Sequence, residues 1–293
     1  MTDREGLESP ANPRCVPIFD NHIHLRPEFR GVEAAKDFDR AGGTAILLTH
    51  SPYEEIPIRR AEDYDVAYAK TLAMGDAVRK ATRLQVFVAL GPYPVEFLRL
   101  REAIGPSAAI EVMRSGVDGA ARLIAGQEAV AFGEVGRPHF PVSEEILAEC
   151  NLLLEYTMVR AKELGCAVVL HTEDPTPATF AEFARMASKA GLSPERVVKH
   201  HSTPLTKSED NHGLVPSILA KETLVSQAIK GSARFLLETD YIDDPKRPGA
   251  VLGPATVAKK TRAWVASQLL SEEACQRIHK DLPEKTYGFV LND

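Results

Sequence analysis

Two periodicities alternate along the chain. Short apolar runs rich in Val, Ile and Leu recur, and between them lie longer stretches whose apolar residues return every three or four positions, the spacing of one helix face. The runs predict strands at Ile18–Leu25, Thr44–Thr49, Leu84–Leu90, Ala129–Val135, Ala167–His171, Arg196–His201, Leu214–Leu219 and Ala233–Asp240. The stretches between them predict helices at Val32–Ala41, Ala61–Ala81, Ile110–Ala125, Ser143–Leu164, Pro177–Ala190 and Lys221–Lys230, with a long helical tail over about Pro254–His279. Pro177 suits the first turn of its helix, while Gly42-Gly43, Gly165 and Gly191 suit helix ends. Strands alternating with helices in this way make a (β/α)8 TIM barrel, and 293 residues is a fitting length for one. The alternative, a doubly wound open sheet, lacks a Gly-x-Gly-x-x-Gly fingerprint after the first strand. No linker, low-complexity tract or internal repeat interrupts the pattern. The expected organisation is a flexible arm over 1–15 and a single barrel domain over 16–293.

Composition narrows the class. With 44% hydrophobic and 26% charged residues the chain reads as an ordinary soluble globular protein. Its net charge of −6 argues against a broad nucleic-acid footprint, though a small basic patch beside a metal centre remains compatible with it. Cys15, Cys150, Cys166 and Cys275 have neither zinc-knuckle spacing nor disulfide-rich density, so buried free thiols in a reducing compartment are expected. The first residues are polar and proline-broken, which suits no signal peptide, and no apolar run is long enough to span a membrane. A cytoplasmic protein is expected. No feature of the sequence specifies an oligomer, and no stripe of exposed aromatics suggests a stacking platform for nucleic acid.

The chemistry begins at Asp20-Asn21-His22-Ile23-His24-Leu25. Residues two apart on a strand share a face, so His22 and His24 project side by side as half of a divalent-metal site, with Asp20 placed to brace one ring. Further ionisable residues end the later strands: Glu134 in Phe132-Gly133-Glu134-Val135-Gly136, His171 in Val168-Val169-Leu170-His171, His200 and His201 on strand six, and Asp240 in Leu236-Leu237-Glu238-Thr239-Asp240. In a (β/α)8 barrel these positions gather at the carboxyl face, where the chemistry of the fold takes place. His22, His24 and one carboxylate suit a first cation, His171 and a strand-six histidine suit a second, and Glu134 is placed to bridge them. Paired cations bind a phosphoryl or carbonyl oxygen and acidify a shared water, and Asp240 is placed to act as general base. The reading is metal-assisted hydrolysis.

In order and spacing, the His-x-His, the Gly133-Glu134-Val135-Gly136 segment, the two strand-ending histidines and Leu236–Asp240 resemble the TatD-type metal-dependent hydrolases of the amidohydrolase superfamily. The resemblance runs from Asp20 to Asp240. It implies a (β/α)8 barrel with one or two divalent ions (Zn, Mg or Mn), and a metal and catalytic set of His22, His24, Glu134, His171, His201 and Asp240. Several members of the group are deoxyribonucleases acting from a strand end, which implies a 3'-5' deoxyribonuclease-like activity. Departures fall at the mouth. Arg137-Pro138-His139 follows the Gly-Glu segment where the family has Leu-Asp or similar, and Lys246-Arg247-Pro248-Gly249-Ala250 stands where the family often has Arg-Gly-Lys-Arg-Asn. A bridging carboxylated lysine is excluded because its strand-four position holds Glu134.

Neighbouring strand residues point oppositely, so His200 and His201 cannot both face the lumen. Aligning His-Ser with the family's His-Cys or His-Ser step favours His201, which would also turn Lys199 inward and require a carboxylate partner or a depressed pKa there. Arg137 and His139 are candidates to grip a substrate anion and His50 to hydrogen-bond substrate, the last balanced against a plain loop histidine. Lys246 and Arg247 read as solvated loop charge, His212 as a surface turn residue, His279 as structural and Trp264 as core. Glu173 and Glu238 read as supports of the site. Three functions follow in order: a phosphodiesterase acting on the end of single-stranded DNA, a hydrolase of a small lactone, amide or phosphoester, and a barrel that binds metal or ligand without turnover.

Overall fold

The computed structural model describes residues 16–247 and 251–292. The expected arm over 1–15, Cys15 and residues 248–250 of the mouth segment lie outside the described residues. The chain is a (β/α)8 barrel. Strands β1 (Phe19–His24), β2 (Ala45–Thr49), β3 (Gln85–Leu90), β4 (Ala131–Gly136), β5 (Ala167–His171), β6 (Val197–Lys199), β7 (Val215–Leu219) and β8 (Leu236–Glu238) follow one another round a parallel sheet. A ninth segment, β9 (Tyr241–Ile242), pairs with β1. Only Thr239 and Asp240 separate β8 from β9. The two therefore act as one broken strand that pairs with β7 at its start and with β1 at its end, which closes the ring.

Helices α1 (Val32–Arg40), α2 (Ala61–Ala81), α3 (Glu96–Ile104), α4 (Pro106–Ala125), α5 (Glu144–Leu164), α6 (Pro177–Ala190), α7 (Ser208–Asn211) and α8 (Glu222–Gly231) form the outer layer. Ser143 and Thr176 cap α5 and α6 through their side chains, and Gly165 and Gly191 end them in the left-handed region. The sequence reading misses α3, because the Gly-Pro-Tyr-Pro turn before it and Gly105-Pro106 after it obscure its period. The expected tail helix is broken into α9 (Thr256–Ala266), α10 (Glu272–Gln276), a π-helical turn over Arg277–Asp281, and α11 (Leu282–Tyr287). The break comes where Gln268 takes a φ of +61° and Ser271 starts a new helix by accepting from the Ala274 N–H.

Apolar side chains divide by strand face. Phe19, Ala45, Leu47, Ala89, Ala131, Val169, Val198, Val215 and Leu236 fill the barrel interior, while Ile23, Val168, Leu170, Val197 and Leu237 pack outward against helices. The tail plugs the amino-terminal end of the barrel. Phe289 stacks on Phe87 at 3.7 Å between centroids and meets Phe19 edge-on, and the Tyr287 hydroxyl donates to Asn21 Oδ1 at 2.7 Å. His279 and Trp264 are buried here and His212 is exposed in its turn, as the sequence suggested. Cys150, Cys166 and Cys275 are buried free thiols. Among the described residues no helix is long and apolar enough to cross a membrane.

Glu96, in the first turn of α3, is buried at 2% exposure. Its Oε2 has no partner, and its Oε1 lies 3.5 Å from the exposed Arg99 guanidinium. Burial raises this carboxyl from 4.5 to about 7. Between those values the native state keeps a proton that the unfolded chain has released, so stability falls as pH rises through the window. Glu96→Gln removes that penalty, worth roughly 2–3 kcal/mol. The substitution is expected to raise the thermal midpoint at about pH 8 and to leave it close to wild type at about pH 5; equal gains at both pH values would contradict this account.

Candidate metal centre

At the carboxyl end of the barrel, strand irregularities rather than simple alternation aim the side chains. Phe19 lies inside and Ile23 outside, an even separation that strict alternation would keep on one face, and the β1–β2 register shifts between Asp20 and Ile23. The shift turns His22 and His24 inward together. Asp20 does not brace a ring as expected. Its Oδ1 accepts the backbone N–H groups of His22 (3.2 Å) and Thr239 (3.0 Å), and its Oδ2 accepts the Thr239 hydroxyl at 2.6 Å. Strand β4 repeats the device, with a register shift between Phe132 and Val135 that brings Glu134 into the lumen. Gly133 beside it must lack a side chain, since a Cβ there would lie 2.9 Å from Val169 Cβ.

Glu134 is the centre of the cluster. Its Oε2 lies 2.8 Å from His171 Nδ1, 3.0 Å from His200 Nε2 and 3.9 Å from His22 Nε2, and its Oε1 lies 3.7 Å from His24 Nε2. His22 and His24 face each other through their Nε2 atoms at 3.1 Å, and His24 Nδ1 is anchored on the Thr49 carbonyl at 2.9 Å. Asp240 Oδ1 lies 3.7 Å from His24 Nε2. The buried donor atoms form two overlapping groups, His22 with Glu134 and His200, and His22 with His24 and Asp240, each within 4.8 Å.

The structure brings His200, and not the expected His201, into the buried donor group. Val198 lies inside the barrel, so alternation places His200, two residues on, inside as well, with Lys199 on the other face. His200 is buried and stacks on His22 at 4.1 Å between centroids, with 10° between the planes. His201 stands at the rim, its side chain 47% exposed, with a φ of +48° and its N–H held by Glu238 Oε1 at 2.6 Å. From there its Nδ1 reaches Asp240 Oδ2 at 3.0 Å. Lys199 is buried, donates to the His200 carbonyl at 2.5 Å, and is lowered by burial to about 8.

Charge in the cluster is mutually supporting. Burial works against ionisation of Glu134, but the His171 and His200 imidazoles beside it hold the carboxyl well below its usual range. Burial likewise opposes a charged His200, yet Glu134 and Glu238 push it up to about 10. Asp240 is drawn down to about 2, its burial outweighed by the bond from His201 and the imidazoles of His200, His22 and His24. Burial and the neighbouring His200 and His24 press His22 well below its usual value. Two ionised carboxylates among four imidazoles, with the Nε2 atoms of His22, His24 and His200 turned toward one another and toward Glu134, are a donor set that fits divalent cations. Glu134 turns one oxygen toward His200 and His22 and the other toward His24, so it would be within reach of both groups.

Two proposed substrate residues are placed elsewhere. Arg137 is buried, its two terminal nitrogens paired with both oxygens of Glu182 (3.1 and 2.9 Å) and with Glu173 (3.2 Å), and it is laid over Phe183, so the guanidinium is committed to the protein and is not presented to the cavity. His50 is buried against Tyr53 and Tyr68 with Nδ1 on the Thr71 hydroxyl at 2.8 Å, behind the wall of the site. His139 does stand at the mouth, where its Nδ1 meets His171 Nε2 at 3.0 Å. Above the cluster opens a cavity of about 1070 Å³, walled in part by Arg26, Tyr93, Phe140 and Arg247. Sequence reasoning gave Arg26, Tyr93 and Phe140 no role, although each follows a barrel strand on the carboxyl side. Asp243, buried beneath the rim, accepts the N–H groups of Arg26, Arg30 and Gly31 and so fixes the loop after β1.

Among known proteins, a family profile described as TatD related DNase matches residues 19–288. An uncharacterized protein of Methanocaldococcus jannaschii is 35% identical over 281 residues, covering 95% of this chain and 98% of the relative. A TatD homologue from Escherichia coli has a similar structure, with 18% identity, a TM-score of 0.63 and coverage of 93% of this chain and 98% of that one. The phosphotriesterase homology protein from Escherichia coli, complexed with phosphate in its active site, aligns at 14% identity and a TM-score of 0.64 over 93% of this chain and 99% of its own. An organophosphorus hydrolase variant from Deinococcus radiodurans aligns at 16% identity and 0.61 over 94% of each. At these identities the solved structures are evidence of the shared fold.

The placement of the two adjacent histidines separates their roles experimentally. His200→Ala is expected to weaken zinc or manganese binding by at least about tenfold, whereas His201→Ala retains the full complement. Elemental analysis after reconstitution reads the difference, and the reverse pattern would return the ligand role to His201.

Proposed function

The chain belongs to the TatD-related DNase family and is a metal-dependent hydrolase, and we propose that it cleaves phosphodiester bonds at the end of single-stranded DNA in a 3'-5' deoxyribonuclease-like reaction. The observation that carries this reading is the convergence of His22, His24, Glu134, His171, His200 and Asp240 beneath a cavity whose wall also bears Arg26 and Arg247. These six are the proposed metal-holding residues, with His22 common to the two groups and Glu134 within reach of both through its two oxygens. Divalent cations held there would supply Lewis acidity, polarising the phosphoryl group and lowering the pKa of the water that attacks phosphorus as the bond to the leaving oxygen breaks.

The protein's own residues supply the rest. Asp240 is the proposed general base. Its carboxylate is ionised, and its Oδ2 is oriented by His201 Nδ1 at 3.0 Å. Its backbone sits in the left-handed region at a φ of +46°, where its N–H donates to the His22 carbonyl at 3.0 Å. A non-glycine residue holds that conformation at a cost, and strained positions of this kind gather at functional sites. His201 and His139, both at the rim, are hydrogen-bond donors available to the substrate's non-bridging oxygens.

A second reading, hydrolysis of a small lactone or phosphoester, is favoured by the exposed Asp174 at the mouth and the net charge of −6, which oppose a long polyanion. Salt separates the two, since binding that tracks phosphates weakens steeply as salt rises and binding of a neutral small molecule does not. End-labelled single-stranded DNA given to manganese-, magnesium- or zinc-reconstituted protein is expected to shorten stepwise. Asp240→Asn is expected to slow that shortening by about a hundredfold or more. Full metal occupancy with no shortening would transfer the assignment to a small ester or lactone.

A further inference from the structure

The order of strands divides the rim of the cavity into arcs of different chemistry. The loops after β9, β1 and β2 are consecutive round the ring and carry Arg247, Arg26 and Ser51. The loops after β3 and β4 come next and carry Tyr93, His139 and Phe140. The loop after β5 carries Glu173 and Asp174. A cationic arc, an aromatic arc and an acidic arc thus surround one centre.

The aromatic arc is continuous with the metal-holding cluster. Tyr93 meets His171 edge-on at 5.0 Å between centroids, His139 meets His171 at 5.1 Å, and Phe140 meets His139 at 5.2 Å. Phe140 is 41% exposed, a large apolar ring left open to solvent at the edge of a reaction site. Pro138 and Pro141 flank the His139-Phe140 pair and restrict the backbone on either side of it. Sequence reasoning found no aromatic stripe because Tyr93 comes from the loop after β3 and the His139-Phe140 pair from the loop after β4, and they meet only in the closed barrel.

We infer that the arc formed by Tyr93, His139 and Phe140 receives a planar ring of the substrate, the terminal base of the strand, and that Phe140 determines this preference. The inference deepens the phosphodiesterase reading and rests on it. With the base on the aromatic arc, the next phosphates run toward Arg26, held by the Pro52 carbonyl, and Arg247, held at its Nε by Asp244, and away from the exposed Asp174, which repels them. One-ended entry follows, as an enzyme acting from a strand end requires. Stacking on an aromatic ring is tolerant of base identity, so the preference is for a base over none.

Calorimetric titration of the manganese-loaded full chain with deoxyadenosine monophosphate and with deoxyribose phosphate tests this directly. The wild type is expected to bind the nucleotide about tenfold more tightly, Phe140→Ala to lose that margin, and Phe140→Trp to keep it. In turnover, Phe140→Ala is expected to raise KM about tenfold for base-ended DNA and leave kcat within about twofold, with an abasic-ended strand unaffected. Equal wild-type affinity for the two small ligands would overturn the inference, as would an equal KM penalty on both strand ends. Failure of the wild type to digest any DNA, alongside a Phe140-dependent preference for the nucleotide, would retire the nuclease reading and leave ring recognition standing.

Discussion

A single buried carboxylate joins the two ends of the barrel. Asp20, near the start of β1, accepts two hydrogen bonds from Thr239 and one from the His22 backbone, and Thr239 lies in the break between β8 and β9. Closure of the ring therefore does more than complete a sheet. It sets the height of His22 and His24 against Asp240, which are far apart in sequence and share one donor group in space. Burial raises Asp20 to about 7, the cost of placing a carboxyl where no solvent reaches, and the three donated bonds oppose that rise.

The same economy runs through the rest of the site. Glu134 shares one oxygen among His171, His200 and His22 and turns the other toward His24, so one side chain organises both donor groups. Glu238 holds the backbone of His201 with one oxygen and takes the Ser217 hydroxyl with the other. His201 in turn holds Asp240. Each acid is satisfied by a donor from a different strand, so the polar cluster also locks strand heights at the carboxyl end. The aromatic plug of Phe19, Phe87, Tyr287 and Phe289 does the corresponding work at the other end with apolar contacts.

Much of this was legible from residue pattern. The His-x-His, Glu134, His171 and Asp240 all end apolar strands, and the structure gathers them as that placement implied. Strand six was ambiguous for a definite reason. Val197 and Val198 are the same residue type, yet one packs outward and the other inward, so hydrophobicity alone carries no parity there. Arg137 read as an anion grip because it follows Glu134, but its partners Asn151, Glu173 and Glu182 come from α5, α6 and the loop between β5 and α6, which local sequence does not reveal. His50 failed in the same way, since Thr71 and Tyr68 of α2 bury it.

Local sequence thus specified the strand–helix alternation, and with it the fold, because apolar period and chain-end signals are properties of neighbours. It also specified which residue types end the strands. Tertiary structure chose among adjacent residues, because the register shifts in β1 and β4 arise from how strands pair and not from their own composition. It also assembled the rim, where Arg26, Tyr93 and Phe140 meet round one cavity only after eight successive loops have been brought into a circle.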